Sequence, residues 1–560
     1  MNHAFTVIKN NWVGILFTLF VLRWGVHLHA LGHSIKGPFI FGDESTYFAF
    51  ARSFFRGDTI KHFTQYGPLY PYLISKFFYF SDVITTYKAI RVFNVLLYVS
   101  TTIPAYLLGS LLFQGSAYRW LLPFCVLLSP FSGLIYLVWA EPLYIVCLYW
   151  AIYVFALFIK HPCNVKSILL ALCLAALYYT KPASGLATQI AAILILSCNA
   201  ISTRSLRWNV LTAVLCVLID LPWMLHYHHL GLSIIGYKGA TDEFNKLLAA
   251  TSWLYIGKQF FFSLFYQYTY CWISTWGLCS LSVVLIYTRR NKLEKYQIMT
   301  LAFILLSLSG LIALCALGVS THPQLDYRLP NGRYYSAILP LLSVYTLFIL
   351  FKTQNDNRLE TRILIAAIAV SFILCLLASP FYVFNPLDFD SLPELSPFIY
   401  LHDNGLVIWR ALITHPTFVF NAGFALFFGL FSLSLVLYTK SVRFRHSAIL
   451  IILLGTCFSA YSELHYITAI GPLNYQKVFF YFLQNHIDKS KIGFDEKFAE
   501  DNTPALTSFW LDTSTRYMSR SKAAEEAQKN HGLFFVSRSK LPLKQILVAD
   551  PYIVYYLEKN

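Results

Sequence analysis

Apolar stretches about as long as a bilayer is thick recur from the N-terminus to about residue 466, each cut off by a short charged or Gly/Pro-containing interruption. A hydrocarbon core of about 30 Å takes about 20 mostly apolar residues per helical crossing. Such windows fall at 12–30, 92–113, 119–136, 139–159, 167–179, 183–200, 208–225, 269–288, 297–319, 334–351, 363–379, 417–438 and 447–466. The division within 119–159 rests on the Ser129-Pro130-Phe131-Ser132-Gly133 break. In lipid every backbone polar group has to be satisfied within the chain, so the pattern predicts an all-α polytopic membrane protein with about 13 transmembrane helices.

Three segments carry a different periodicity. Residues 44–56 are too short and too polar to span, yet Tyr47, Phe50, Ala51 and Phe54 recur at helical spacing opposite Ser45, Arg52 and Arg56. That is the pattern of a helix lying in the membrane interface. The aromatic-rich stretches 67–80 and 251–266 read as further interfacial elements. Beyond residue 466 the composition becomes that of a soluble domain: Lys489 to Glu496 is polar, Phe534-Phe535-Val536 and Ile546-Leu547-Val548 read as strands, and 521–530 reads as a helix. The expected organisation is a membrane domain over 1–466, with a first outer loop at 31–91, followed by a small α/β soluble domain over 467–560.

Charge sets the expected orientation. With the N-terminus inside, the inner loops carry Arg119; Lys160 and Lys166; Arg204 and Arg207; Arg289, Arg290, Lys292 and Lys295; Lys352, Arg358 and Arg362; and Lys440, Arg443 and Arg445. An odd number of spans then puts the C-terminal domain outside. The long loops 31–91, 226–268, 320–333 and 380–416 fall on that same outer side, where site-building residues are expected. Lys9 ahead of the first apolar run resembles a secretory signal, but Arg23, His27 and His29 interrupt the run, so it reads as an uncleaved first span.

Only 12% of residues are charged against 57% hydrophobic, about half the charged share of an ordinary soluble domain. The net charge of +16 is spread thinly through short loops, which excludes nucleic acid as the reason for it. The 11 cysteines include no CxxC pair and sit in or beside apolar stretches, as small hydrophobes do.

Ionisable groups at the outer ends of the spans are the candidates for chemistry. Phe41-Gly42-Asp43-Glu44-Ser45 opens the first interfacial helix, where Asp43 is either a helix N-cap or a functional carboxylate. Glu141, in Trp139-Ala140-Glu141-Pro142, is either an acceptor or metal contact or the partner of a nearby cation. Lys181, in the turn Tyr179-Thr180-Lys181-Pro182, either snorkels to the interface or holds an anion. His226, His228 and His229 at the end of a span are metal ligands, contacts to phosphate or sugar, or plain interfacial residues. Arg328, Arg333 and Tyr334 precede a Pro-containing span, as phosphate clamp or as interface anchors.

The ordered run from Phe41-Gly42-Asp43-Glu44, through an amphipathic helix, to Gln65-Tyr66-Gly67-Pro68-Leu69-Tyr70-Pro71-Tyr72-Leu73 resembles the first outer loop of the GT-C glycosyltransferases. That superfamily uses polyprenyl-phosphate-linked sugars and includes protein mannosyltransferases and lipid A aminoarabinose transferases. The resemblance implies a bacterial cytoplasmic membrane, with Asp43 as the base acting on the acceptor and Glu44 as its neighbour. It implies Lys181, Arg333, Arg328 and Tyr334 at the donor phosphate, and beside these Glu141, Tyr66, His226 and His228 are the candidates for contact with acceptor or sugar. Aminoarabinose transferases typically show Lys-Pro-Pro-Leu where this chain has Tyr66-Gly67-Pro68-Leu69, so a family lysine is absent.

The chemistry is coherent, because a polyprenyl phosphate is already a good leaving group and one base plus a cationic clamp suffices. A single displacement then inverts the anomeric carbon. No cofactor is implied, and a divalent metal at Glu141 and the histidines stays open. Two other readings share the span count: a transporter or flippase of lipid-linked sugars, and a polysaccharide ligase or polymerase. Transporters place their ionisable groups near the midplane on broken helices, whereas the charges singled out here sit at outer span ends. The early Asp43-Glu44 loop separates the chain from the ligases.

Overall fold

The computed structural model describes residues 42–57, 66–80, 82–114, 118–129, 137–202, 206–234, 253–321, 334–352, 358–378, 416–469 and, with short interruptions, 478–495 and 517–557. The expected first span at 12–30, Arg328, Arg333 and the side chain of Asp43 lie outside the described residues.

The helix expected over 44–56 is present as α1, Gly42–Arg56. It buries Tyr47, Phe48, Phe50 and Ala51. Arg52, expected on the wet face, is buried too, with its guanidinium 5.3 Å from the centre of the Phe48 ring and 5.6 Å from that of Phe78. Aromatic faces stabilise a cation in such a setting. The second element, 67–80, forms the short helix α2, Leu69–Ile74, and a tight 3-10 turn, Ser75–Tyr79.

Helices α3 (Val83–Ser100) and α4 (Thr102–Leu112) form one 30-residue apolar stretch. It begins at Val83 rather than near 92, so the first outer loop is shorter than expected. Thr85, Thr86, Tyr87 and Lys88 hid this start by their polarity, but Asp82 marks it, accepting a hydrogen bond of 2.7 Å from the Thr85 N–H as an N-cap.

The expected span 119–136 is corrected as well. Helix α5, Tyr118–Leu127, is only 10 residues long, and Leu137 to Ala140 are buried but not helical. Buried irregular backbone requires partners. Here they are side chains: the Val138 N–H donates to Glu44 and the Leu137 carbonyl accepts from Asn94. Helix α6, Glu141–Lys160, follows directly, then α7 (Asn164–Thr180), α8 (Pro182–Ser202) and α9 (Leu206–His229).

A larger correction concerns 251–288. The chain makes a continuous 22-residue helix α10, Trp253–Ser274, then turns by 89° into α11, Leu278–Arg289. The expected interfacial element at 251–266 is thus the first part of α10, and the expected span at 269–288 is broken. The corner needs Trp276 at φ 57° and Gly277 at φ 75°. A Cβ on Gly277 would sit 2.1 Å from Ser432 Oγ, so the position admits glycine alone. Ser432 also donates to the Trp276 carbonyl at 2.8 Å, and the Trp276 ring lies against Phe428 and Phe431.

Four more helices complete the described bundle: α12 (Lys295–Thr321), α13 (Leu339–Lys352), α14 (Arg358–Ala378) and α15 (Pro416–Leu437), with α16 (Val442–Ala469) leading towards the tail. Among the described residues, 6 helical stretches are long and apolar enough to cross a membrane, or 7 if the bent pair is one span, and shorter apolar helices such as α7 and α13 pack among them. The architecture is that of a multi-pass membrane protein. The apolar windows of α9 and α14 are only 22% and 28% buried against 67% for α6, which puts α6 in the centre and the other two at the lipid-facing rim.

Several basic residues of the expected inner loops meet at one end of this bundle. Lys160 lies over the Tyr296 ring, Tyr296 donates to the Leu111 carbonyl, and Lys352 donates to the Gln114 carbonyl. At this end Arg289 pairs with Glu360 and donates to the carbonyls of Ile349 and Leu350, tying α11 and α14 to the C-terminus of α13. Both side chains are at most 5% exposed. Arg289→Ala strands a buried carboxylate and is expected to cost about 3–5 kcal/mol. Unfolding in mixed detergent micelles measures this, and a loss below about 1 kcal/mol would contradict it.

The tail forms a mixed five-stranded sheet in the order β2-β1-β3-β5-β4, with β1 Ile492–Asp495, β2 Tyr517–Met518, β3 Leu533–Ser537, β4 Gln545–Ala549 and β5 Tyr552–Leu557. Strands β1, β2 and β3 run parallel, and β5 is antiparallel to both β3 and β4. Helix α17, Arg520–Lys529, buries Ala523 and Ala527 with Leu533, Phe535, Ile553 and Tyr555, while Phe479 and Phe482 lie near Phe494 and Phe534. The expected strands at 534–536 and 546–548 and the helix at 521–530 are present. Strands β1, β2 and β5 were not legible from those short apolar runs.

Candidate active site

At the end of α6 opposite Lys160, about 30 Å away along the helix axis, α1 and the Tyr66–Phe80 segment fold back onto the bundle. Glu44 is 1% exposed, and its Oε1 accepts from the Tyr87 hydroxyl at 2.7 Å and from the Val138 N–H at 2.9 Å. The carboxylate thus sits ahead of the α6 N-terminus, where the helix dipole favours negative charge. This pins the first turn of α1, which carries Asp43, to the start of α6. Read from sequence as the catalytic neighbour of Asp43, Glu44 is placed to build the site.

A second tie runs in parallel. The Tyr70 hydroxyl donates to Asn94 Oδ1 at 3.0 Å, and Asn94 Nδ2 donates to the Leu137 carbonyl at 2.7 Å. Burial holds the Tyr70 hydroxyl well above its usual range; its hydrogen bond to Asn94 opposes that shift, and the charges of Glu44 and Glu141 add to it. Both carboxylates therefore bear on one buried phenol.

Glu141 heads α6, and Lys181 sits in the turn between α7 and α8. Lys181 Nζ donates to Glu141 Oε1 at 2.7 Å, with the two side chains 13% and 6% exposed. The ammonium also lies 4.5 Å from the centre of the Tyr334 ring and 6.0 Å from that of Tyr144. Of the sequence candidates, then, the structure brings Glu141, Lys181 and Tyr334 together.

The Tyr66-Gly67-Pro68 segment is packed directly against the turn that holds Lys181. A Cβ on Gly67 would lie 2.2 Å from the Tyr179 carbonyl oxygen and 2.7 Å from that of Thr180, so backbone meets backbone there. The Tyr66 ring packs edge-on to Tyr47, and its carbonyl accepts from the Tyr227 hydroxyl at 3.2 Å, which brings in the end of α9. Gly67→Ala must push the Lys181 turn aside and is expected to cost about 1–3 kcal/mol, as overpacking does. It should lower any activity that depends on Lys181; thermal unfolding checks the first part, and wild-type stability would rule out the close approach.

His226 stacks on Trp223 at 4.6 Å, and its buried Nε2 has no hydrogen-bond partner among the described residues; His228 is exposed. Neither joins a group of three or more metal-binding side chains, of which the described residues contain none. Asp220, nearly two turns deeper in α9, accepts from Gln189 at 2.8 Å and leaves Oδ1 without a partner among the described residues.

Tyr87, Asn94, Tyr144 and Tyr227 were missed as site-building residues. The signal for the first two was present in α3, where Tyr87, Arg91, Asn94 and Tyr98 recur at helical spacing on one buried face of an apolar helix.

No protein-family model matches the sequence, and no curated protein matches it. Among solved structures the chain is similar to ArnT from Cupriavidus metallidurans in the apo state, at 11% identity and a TM-score of 0.53 over 98% of each chain. It is similar to the same protein bound to undecaprenyl phosphate, at 12% identity and a TM-score of 0.54, again over 98% of each chain. At this identity the likeness establishes architecture: over nearly its whole length this chain has the fold of ArnT.

Proposed function

We propose that this chain is a membrane glycosyltransferase that moves a sugar from a polyprenyl-phosphate-linked donor to a lipid, glycan or protein acceptor on the outer face of the membrane. The observation that carries this reading is a largely buried cation, Lys181, locked in place by the first outer loop, in a fold shared with a protein solved bound to undecaprenyl phosphate. Lys181 holds the donor phosphate, with Arg333 and Arg328 as further cations and Tyr334 orienting the Lys181 ammonium. Asp43 takes the proton of the acceptor hydroxyl as that oxygen attacks the anomeric carbon. The bond from that carbon to the phosphate oxygen breaks, and its electron pair leaves with the polyprenyl phosphate, whose growing charge the cations balance. Glu141, Tyr66, His226 and His228 border the space left for sugar and acceptor. One displacement predicts an inverted anomeric centre. The N-terminus is inside, and the C-terminal sheet lies on the outer side of a bacterial cytoplasmic membrane.

A flippase of lipid-linked sugars is the competing reading, and vesicles containing the purified full chain separate the two. A transferase leaves free polyprenyl phosphate behind in proportion to sugar transferred. A flippase moves the intact donor between leaflets without splitting it, and that result would reject the proposal.

A further inference from the structure

We propose that Glu141 is a built-in competitor for the lipid phosphate: it occupies Lys181 when the site is empty and reclaims it to drive the product out. The inference rests on the reading of Lys181 as the phosphate-binding cation. Lys181 Nζ is in hydrogen-bond contact with Glu141 Oε1 at 2.7 Å, inside a site where neither side chain is more than 13% exposed. The remaining approaches to the ammonium include the faces of Tyr334 and Tyr144. Gly67 wedges the backbone of Tyr179 and Thr180, so the lysine cannot retreat from this position by shifting its turn. A phosphate arriving at Lys181 therefore meets a carboxylate already there, and must take the ammonium from it.

The two lipids in the reaction differ in the charge they bring to that contest. The donor is a phosphodiester with one negative charge. The departing monoester has a second ionisation near pH 6 and carries about −1.5 to −2 at neutral pH. A lone buried lysine would grip the product more tightly than the donor, and turnover would stall on product release, a common rate limit in enzymes. A carboxylate within reach offsets this. Taking Lys181 from a buried carboxylate is unfavourable because Glu141 loses its cation while it stays out of water, so Glu141 lowers the affinity for both lipids and re-forms its bond with Lys181 as the product leaves. Glu141 in this role is a positioning residue acting through Lys181, not a group that touches the reacting carbon.

The test is binding of undecaprenyl phosphate to the full-length chain in lipid nanodiscs, read as Kd and dissociation rate, with inorganic phosphate as the control for the headgroup alone. Glu141→Gln is expected to bind the lipid at least about tenfold more tightly than wild type and to release it more slowly. Glu141→Asp, which restores the competing charge, should move the affinity back towards wild type, and Lys181→Met should lose binding. Thermal unfolding of each variant with and without the lipid shows that folded protein is being compared, because a tighter-binding variant gains more stability on adding ligand. If Glu141→Gln binds equally or more weakly while Lys181→Met loses binding, Glu141 is no competitor and this inference falls, leaving the proposed function intact. If wild type and variants alike fail to bind undecaprenyl phosphate, both fall together.

Discussion

Replacing Lys181 with methionine is expected to lower sugar transfer about 10²–10³-fold, the usual loss when one preorganised charge-stabilising group is removed. The size follows from placement. The ammonium is largely removed from water, packed beside the Tyr334 ring and fixed by backbone contact with Gly67, so it requires little reorganisation as the phosphate gains charge. Methionine keeps most of the length and flexibility of the side chain and none of the charge. The single variant also takes the cation away from Glu141, so the companion Lys181→Met/Glu141→Gln is measured beside it. That pair removes both charges of the Glu141–Lys181 bridge and should fold as wild type does while remaining inactive. Recovery of transfer in the double variant would mean that Lys181 serves only to neutralise Glu141.

Asp43→Asn is the second large effect, a loss of about 10²–10⁴-fold, the range for a positioned general base. Asparagine keeps the shape of the side chain within the first turn of α1, Gly42–Arg56, so the helix should lose no more than a few tenths of a kcal/mol. The adjacent residue supplies the structural argument. Glu44 is tied by Tyr87 and Val138 to the start of α6, three residues from Glu141, so the turn that carries Asp43 cannot drift from the Glu141–Lys181 pair. Normal stability with abolished transfer assigns Asp43 to chemistry. Normal stability with normal transfer assigns it to the helix end alone.

Much of this architecture could be read directly from hydrophobic pattern. Helices α6, α8, α12 and α14 fall close to their expected windows because each is a long apolar run with charged punctuation. The misreadings share one cause: a window average does not see where a helix starts or bends. Val83 to Arg91 is polar enough to pass for loop, yet it is a helix that turns Thr86, Tyr87 and Arg91 into the protein interior. The corner at Trp276 and Gly277 lies inside an aromatic-rich run whose average hydropathy gives no sign of an 89° turn. Leu137 to Ala140 look like span and are irregular, because side chains from Glu44 and Asn94, distant in sequence, satisfy their backbone.

The site divides in the same way. Glu141, Lys181 and Tyr334 were legible as charges or anchors at span ends, but their mutual contact depends on three separate helices meeting. The pairing of Glu141 with Lys181 joins two residues that the sequence presented as independent candidates. The lysine absent from the Tyr66-Gly67-Pro68-Leu69 motif has a physical counterpart here, since Gly67 presses on the very turn that presents Lys181. Gly67 thus fixes the position of the turn that carries Lys181.

The most direct measurement is transfer of radiolabelled sugar from a panel of polyprenyl-phosphate donors to membrane lipids and proteins, comparing wild type with Asp43→Asn in equal, folded amounts. The account predicts that wild type transfers label from at least one donor and that the Asn variant does not. Intact donors with no transfer by wild type across the panel, or full activity in Asp43→Asn, would contradict it.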